Sequence, residues 1–251
     1  MWTFNGEKTL DAVLKQINKV IPKKCVNKKI IVDDYSTDLT VLIALKNGWK
    51  VYPNLGKGIC DGANTALGLV STDFFCSFEE DLVLADDWWI KIQKLIKSND
   101  VACGVRLPNK TKSLQKIEEY AHEKYRLNGL YCKTIDNTIY KTEVIRKVGG
   151  YPNINSNVGV DVALAKKVLE NGFSWVTDFE CVSIHLRNGL KGELKHNFWY
   201  GKEAGSFSGD GKRLLFSPIR AFQIAMKKHC VSVLVLYPLL KVAKFIGVLS
   251  K

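Results

Sequence analysis

Ile30-Ile31-Val32-Asp33-Asp34-Tyr35-Ser36-Thr37-Asp38 runs apolar and then turns abruptly acidic. That pattern reads as a buried parallel strand delivering carboxylates to the C-terminal edge of a sheet, where open α/β folds bind ligands. The change recurs at Phe74-Phe75-Cys76-Ser77-Phe78-Glu79-Glu80-Asp81, and a third acidic segment follows at Gly159-Val160-Asp161-Val162-Ala163-Leu164. Upstream, Leu10, Val13, Leu14, Ile17 and Val20 keep helical spacing until Pro22. Downstream, Ser36 or Thr37 is placed to cap a helix carrying Val41, Leu42, Ala44 and Leu45 as far as Gly48. A strand over 49–52, a glycine-rich turn over 54–58, a helix including 63–69, a helix after Asp86 or Asp87 and a strand over 101–105 complete the first hundred residues. This alternation predicts an α/β fold, a mostly parallel sheet with helices on both faces. Beyond it the sequence predicts a helix over 113–127, a short strand over 138–140 and a helix over 162–170.

With 251 residues, 46% of them hydrophobic, the chain can bury one good core with an appendage. The expected division is a domain over 1–205, in halves 1–105 and 106–205, followed by a tail over 206–251. The formal charge of +12 favours anionic partners without choosing among nucleic acid, nucleotide and acidic lipid. Seven cysteines without a CxxC pair read as reduced thiols of a cytosolic protein rather than zinc ligands, and the N-terminus carries no signal-peptide pattern. Residues 231–249 are almost continuously apolar, but Pro238, Lys241 and Lys244 interrupt them. An interfacial helix or helical hairpin at an anionic membrane fits better than a span, and an amphipathic helix packed on the protein itself is the alternative.

Glu79, Glu80 and Asp81 at a strand end offer the oxygen ligands that Mg²⁺ or Mn²⁺ takes, Asp81 directly and Glu79 directly or through water. A solvated acidic loop is the competing reading. Asp33 and Asp34 can accept a hydrogen from a base edge such as the uracil N3, or cap the following helix. Gly56-Lys57-Gly58 can bring backbone amides and a cation to phosphates, although it matches neither common phosphate-loop pattern. Asp161 opens a helix, which suits dipole compensation as well as a general base. His185 is a candidate metal or diphosphate contact or a structural histidine, and Arg187 and Lys191 are candidate phosphate contacts.

In this order, these segments resemble a family 2 glycosyltransferase of GT-A fold, Rossmann-like, from Thr3 to the tail. Thr3-Phe4-Asn5-Gly6-Glu7 is similar to the family's opening, Val32-Asp33-Asp34-Tyr35-Ser36-Thr37-Asp38 to its nucleotide motif, and Asn54-Leu55-Gly56-Lys57-Gly58 to its glycine turn. Glu79-Glu80-Asp81 stands at its metal motif, and Gly149-Gly150-Tyr151 with Gly159-Val160-Asp161 resembles its acceptor-side pair. The resemblance implies a hexosyltransferase-like enzyme that inverts the sugar, uses Mg²⁺ or Mn²⁺ and has Asp161 as catalytic base. It implies Asp81, Glu79 and His185 at the metal, and Thr3, Asn5, Glu7, Asp33, Asp34, Gly56, Lys57, Glu80 and Arg187 at the nucleotide-sugar donor. The N-terminal half would bind the donor and the second half the acceptor. His185 with Phe198-Trp199-Tyr200-Gly201-Lys202 resembles members that act at membranes, implying a glycan or lipid-linked acceptor in polysaccharide or glycolipid synthesis, at the cytoplasmic face.

Three substitutions depart from the pattern: Glu79 for an Asp, Tyr35 for a Gly and Val160 for a Glu. The family's apolar first strand, normally mid-sheet, has no counterpart ahead of Met1-Trp2, so the true start lies upstream, or the remaining strands close the gap, or the protein is impaired. A sugar nucleotidyltransferase would need a basic glycine-rich loop after its first strand, and none is visible. A nucleic-acid or lipid-binding module would interleave aromatics with a basic patch. Here the tryptophans fall mainly in predicted helices, and no nucleic-acid partner is expected.

Overall fold

β2 (Ile30–Asp33) forms the middle of a three-stranded parallel sheet between β1 (Trp2–Thr3) and β3 (Lys50–Pro53), with Trp2 opposite Val32 and Ile30 opposite Lys50. A second sheet has the order β4 (Phe74–Ser77), β7 (Thr138–Lys141), β6 (Val101–Pro108), β8 (Trp175–His185), β5 (Leu82–Val83). The computed structural model describes residues 1–129, 134–154, 158–186 and 189–251. Packing divides the chain into two compact units, Met1–Arg106 with Tyr131–His185, and Leu107–Leu130 with Leu186–Lys251. The tail boundary read at residue 205 follows composition, whereas the units follow contacts.

The α/β class expected from the alternation holds, with parallel pairing complete only in the first sheet. β7 is antiparallel to both β4 and β6, so β4 and β6 run the same way and end at the same edge. Amphipathic spacing places the helices as anticipated. α1 (Leu10–Val20) buries Leu10, Val13, Leu14 and Ile17. α3 (Gly58–Gly68), α6 (Thr142–Lys147) and α7 (Val160–Glu170) send Ala63, Leu67, Ile145, Leu164 and Val168 into one cluster with Tyr140 and Trp175. α4 (Trp88–Leu95) buries Trp88 and Ile92. α2 (Thr40–Lys46) starts later than Ser36 or Thr37, because the Ser36 hydroxyl donates to Asp33 and Asp38 accepts from the Thr40 N–H instead.

A cleft of about 890 Å³ lies between the two sheets, lined by Ile30, Trp49, Phe74, Phe75 and Cys76 among others. The amine of Met1 sits in it and donates to the Ile30 carbonyl at 3.1 Å. Burial pushes that amine down to about 5.

The second unit is helical: α5 (Lys112–Leu127), α8 (Gly189–Ala204), α9 (Phe207–Leu215), α10 (Ser217–Lys228) and α11 (Val233–Leu249). α8 and α11 approach closely enough that glycine is required at the contact. A Cβ on Gly201 would lie 1.9 Å from the Lys244 carbonyl oxygen, and one on Gly247 would lie 2.0 Å from that of Phe198. Of the apolar stretch at 231–249, Val233–Leu249 forms one helix, with Pro238 inside it. No helix among the described residues is long and apolar enough to cross a membrane. The described cysteines are free thiols; Cys132 lies outside the described residues.

Candidate active site

Strand register brings the metal candidates together. β5 pairs antiparallel with β8, with Leu82 opposite His185, so Asp81 arrives beside the imidazole. His185 Nε2 lies 2.9 Å from Asp81 Oδ2. Ligand atoms of Glu79, Asp81 and His185 all lie within 4.8 Å of one another, with His185 buried and the two acids half-buried. Two carboxylates and an imidazole match the oxygen and nitrogen donors that Mg²⁺ or Mn²⁺ accepts. The residues present therefore fit a divalent cation.

Arg106 was missed by sequence reasoning. The signal was available: β6 runs apolar from Val101 to Val105 and then turns charged at the edge where β4 also ends. Its Nη1 binds Asp136 and lies 3.5 Å from Glu79 Oε2. Asp136 is 0% exposed, and its other oxygen, Oδ1, is buried without a hydrogen-bond partner. Asp161, in the first turn of α7, is near enough to both Arg106 and Glu79 for their charges to act on it. Burial raises the Asp161 carboxyl above the ordinary aspartate range, while the Val162 N–H and Arg106 pull it down and Glu79 pushes it up. The segment ahead of it is tied to α3, where Asn64 accepts from the Tyr151 N–H at 2.8 Å and donates to the Tyr151 carbonyl at 2.9 Å. Arg187, with its phosphate role, lies outside the described residues.

The donor candidates largely hold one another. Asn5 takes the Thr37 N–H at 2.9 Å on its side-chain oxygen, and Glu7 takes the Leu39 N–H at 3.2 Å. Asp33 accepts from both the N–H and the hydroxyl of Ser36. Asp34 accepts from Asn54 Nδ2 at 2.8 Å and the Gly58 N–H at 3.0 Å. The Gly56 and Lys57 amides are bound to Asn54 and Asp61, leaving the exposed Lys57 side chain as the cation there. Gly56 is needed because a Cβ would sit 2.1 Å from Asp61 Oδ2. Glu80 turns away from the metal cluster toward Thr3 and accepts from the Phe4 N–H at 3.2 Å. Burial pushes its carboxyl up to about 7 against those hydrogen bonds. Through Glu80 and Phe4 the ends of the two sheets meet, so Asp34 lies along the same edge as Asp81 without touching it.

Tyr35 departs from the expected glycine and keeps glycine-like geometry, with φ of 63°. Its hydroxyl donates to the Asn54 carbonyl at 3.2 Å, and the residue is 64% exposed. A non-glycine residue held left-handed costs roughly 1–2 kcal/mol.

Among solved structures the chain is similar to a mannosyltransferase from Pyrobaculum calidifontis in complex with GDP-Man and Mn²⁺. The TM-score is 0.60 at 16% identity, covering 100% of this chain and 74% of that one. It is also similar to glucosyl-3-phosphoglycerate synthase from Mycobacterium tuberculosis in complex with Mn²⁺, UDP and phosphoglyceric acid, with a TM-score of 0.57 at 15% identity, covering 76% and 70%. Both likenesses support the GT-A fold. No curated protein sequence matches. Residues 1–150, which span two of the three acidic segments and stop short of the one with Asp161, match the family described as Glycosyl transferase family 2. The chain belongs to that family and is a glycosyltransferase.

Proposed function

We propose that the protein transfers a sugar, with inversion, from a nucleotide sugar to a hydroxyl of a glycan or lipid-linked acceptor, using Mg²⁺ or Mn²⁺. The observation that carries this reading is the pairing of the Glu79–Asp81–His185 cluster with a half-buried Asp161 within electrostatic reach of Glu79. The matched glycosyltransferases bound to Mn²⁺ and to UDP or GDP-Man support it. When bound, the cation offsets the charge on the departing diphosphate.

Asp161 takes the proton from the acceptor hydroxyl. The oxygen then forms its bond to the anomeric carbon from the face opposite the diphosphate, and the old carbon–oxygen bond breaks with its electron pair leaving on the nucleotide. Desolvation raises the carboxyl toward the pH at which it works, as efficient proton abstraction favours. Arg106, anchored by Asp136, keeps Asp161 ionisable and faces the phosphates with a fixed cation. Tyr35 and Asp34 border the nucleoside end, and Lys57 its phosphates. We place the reaction at the cytoplasmic face of a membrane, in polysaccharide or glycolipid synthesis.

The test is turnover of a panel of UDP- and GDP-sugars with Mn²⁺, Mg²⁺ or chelator, wild type beside Asp161→Asn and Asp81→Ala. Full activity in chelator rejects the metal, and robust turnover by Asp161→Asn rejects the base.

A further inference from the structure

The second unit carries an exposed apolar surface that the transfer site does not use. On α10, Leu215 just before it and Ile219, Phe222 and Met226 within it are exposed at spacings of four, three and four. On α11, Val235, Leu239, Val242, Ile246 and Leu249 repeat the pattern, and Val231 extends it upstream. Ile219 and Phe222 are 59% and 58% exposed, and Val235 is 73% exposed. The opposite sides of both helices are the packed ones. Ile224, Ala225 and Val233 cluster with Tyr120 of α5, and Leu236 and Leu240 cluster with Leu114 of α5. Both apolar stripes therefore point away from α5. Single exposed hydrophobes are ordinary, but two adjoining helical stripes form a surface that marks an interaction site.

Heptad-like spacing would suit a second copy of the chain, yet the charge around the stripes opposes one. Residues 206–251 contain eight Lys and Arg against a single acid, Asp210. That acid is buried and already paired with Arg213 and Lys244. Lys227 and Lys228 are paired with Glu119 and Glu123 of α5, so those acids are already engaged, and two such net-basic surfaces face to face would repel. An anionic bilayer supplies both what the stripes and what their rim lack, an apolar layer and a sheet of negative headgroups. α11 has 17 residues and is too short and too interrupted to cross, so it fits the plane of the interface.

We propose that α10 and α11 form a monotopic docking face for an anionic membrane, lying flat with Ile219, Phe222, Met226, Val235, Val242 and Ile246 in the headgroup–acyl boundary. The exposed Lys212 and Lys251 supply cations to the headgroups, while Arg220 and Lys227 are turned to Tyr120 and Glu123 of α5 and add to the basic field from there. This names the surface behind the membrane placement proposed above, but it stands without the transfer reading, because binding needs neither donor nor metal.

The experiment is co-sedimentation of the full chain, in chelator, with phosphatidylcholine vesicles and with vesicles containing phosphatidylglycerol. Wild type is expected to bind the anionic vesicles more tightly and to lose affinity with salt. Ile219→Glu/Phe222→Glu and Val235→Glu/Val242→Glu should each weaken binding by about tenfold or more. Phe222→Leu should retain it, and unchanged circular dichroism and melting would show that these exposed positions leave the fold intact. Equal binding by the Glu variants, absence of wild-type binding, or a wild-type dimer in ultracentrifugation that the Glu variants convert to monomer would overturn the proposal. Sugar turnover measured on the same variants with a soluble acceptor reports on the transfer reading separately.

Discussion

Arg106→Met removes a cation that anchors one carboxylate and tunes another. Asp136 is wholly buried and depends on the Arg106 guanidinium, which holds its Oδ2 while its Oδ1 has no partner. Removing one member of a buried pair typically costs about 3–5 kcal/mol, because the remaining charge is left uncompensated. The Arg106 side chain is 28% exposed, so water can enter, and the lower figure of about 3 kcal/mol applies. At roughly 2–4 °C per kcal/mol for a chain of this size, the melting temperature should fall by about 6–12 °C in chelator. Asp136→Asn in the same chain needs no counter-charge and should restore most of the loss. A second readout separates anchoring from tuning. Arg106 holds the Asp161 carboxyl down, so without it Asp161 titrates higher and the rising limb of kcat/KM shifts to higher pH. A melting temperature equal to wild type, a double variant no more stable than the single, and an unmoved pH limb would together refute this account of Arg106.

Asp161→Asn should lower kcat by about 10²–10⁴-fold while nucleotide affinity, measured calorimetrically with Mn²⁺, stays near wild type. In the wild type, activity should rise with pH on a limb lying above the ordinary aspartate range, because the raised carboxyl must lose its proton before it can act as base. Asp81→Ala or His185→Ala should weaken Mn²⁺ binding at least roughly 10–100-fold, followed by electron paramagnetic resonance without any sugar. Glu80, raised to about 7, binds its proton more tightly in the folded chain; its stability contribution is present below the ordinary glutamate range and lost as pH rises through about 7. Glu80→Gln should flatten that decline in urea unfolding. Gly56→Ala must displace Asp61 from the Lys57 amide and should cost about 1–3 kcal/mol, read by the same unfolding.

The strand ends were legible because their periodicity is local: three apolar residues before Asp33, or four residues before Phe78 and Glu79, announce a buried strand reaching an edge. The contact of Asp81 with His185 was legible only as a pair of candidates, since the pairing of Leu82 with His185 that joins them is a register across a hundred residues. Arg106 was overlooked because one charged residue after a strand looks like ordinary solvation until Asp136 is seen buried behind it. Asp33 and Asp34 were read as acceptors for a base edge or as local caps, and the structure displays the local role, their oxygens accepting from Ser36, Asn54 and Gly58. Polar residues spaced two to four apart satisfy one another in turns, and composition cannot tell that from ligand binding. The antiparallel β7 also escaped notice, because residues 138–140 carry no sign of direction.

The buried amine of Met1 has a practical consequence for anyone handling the protein. Residues fused ahead of it would begin inside the molecule, beside Ile30 and Cys76, instead of at its periphery. A purification tag placed there would start in the cleft lined by Trp49 and Phe74, so tagged and cleaved preparations should melt at different temperatures, and a handle after the exposed Lys251 avoids that cleft.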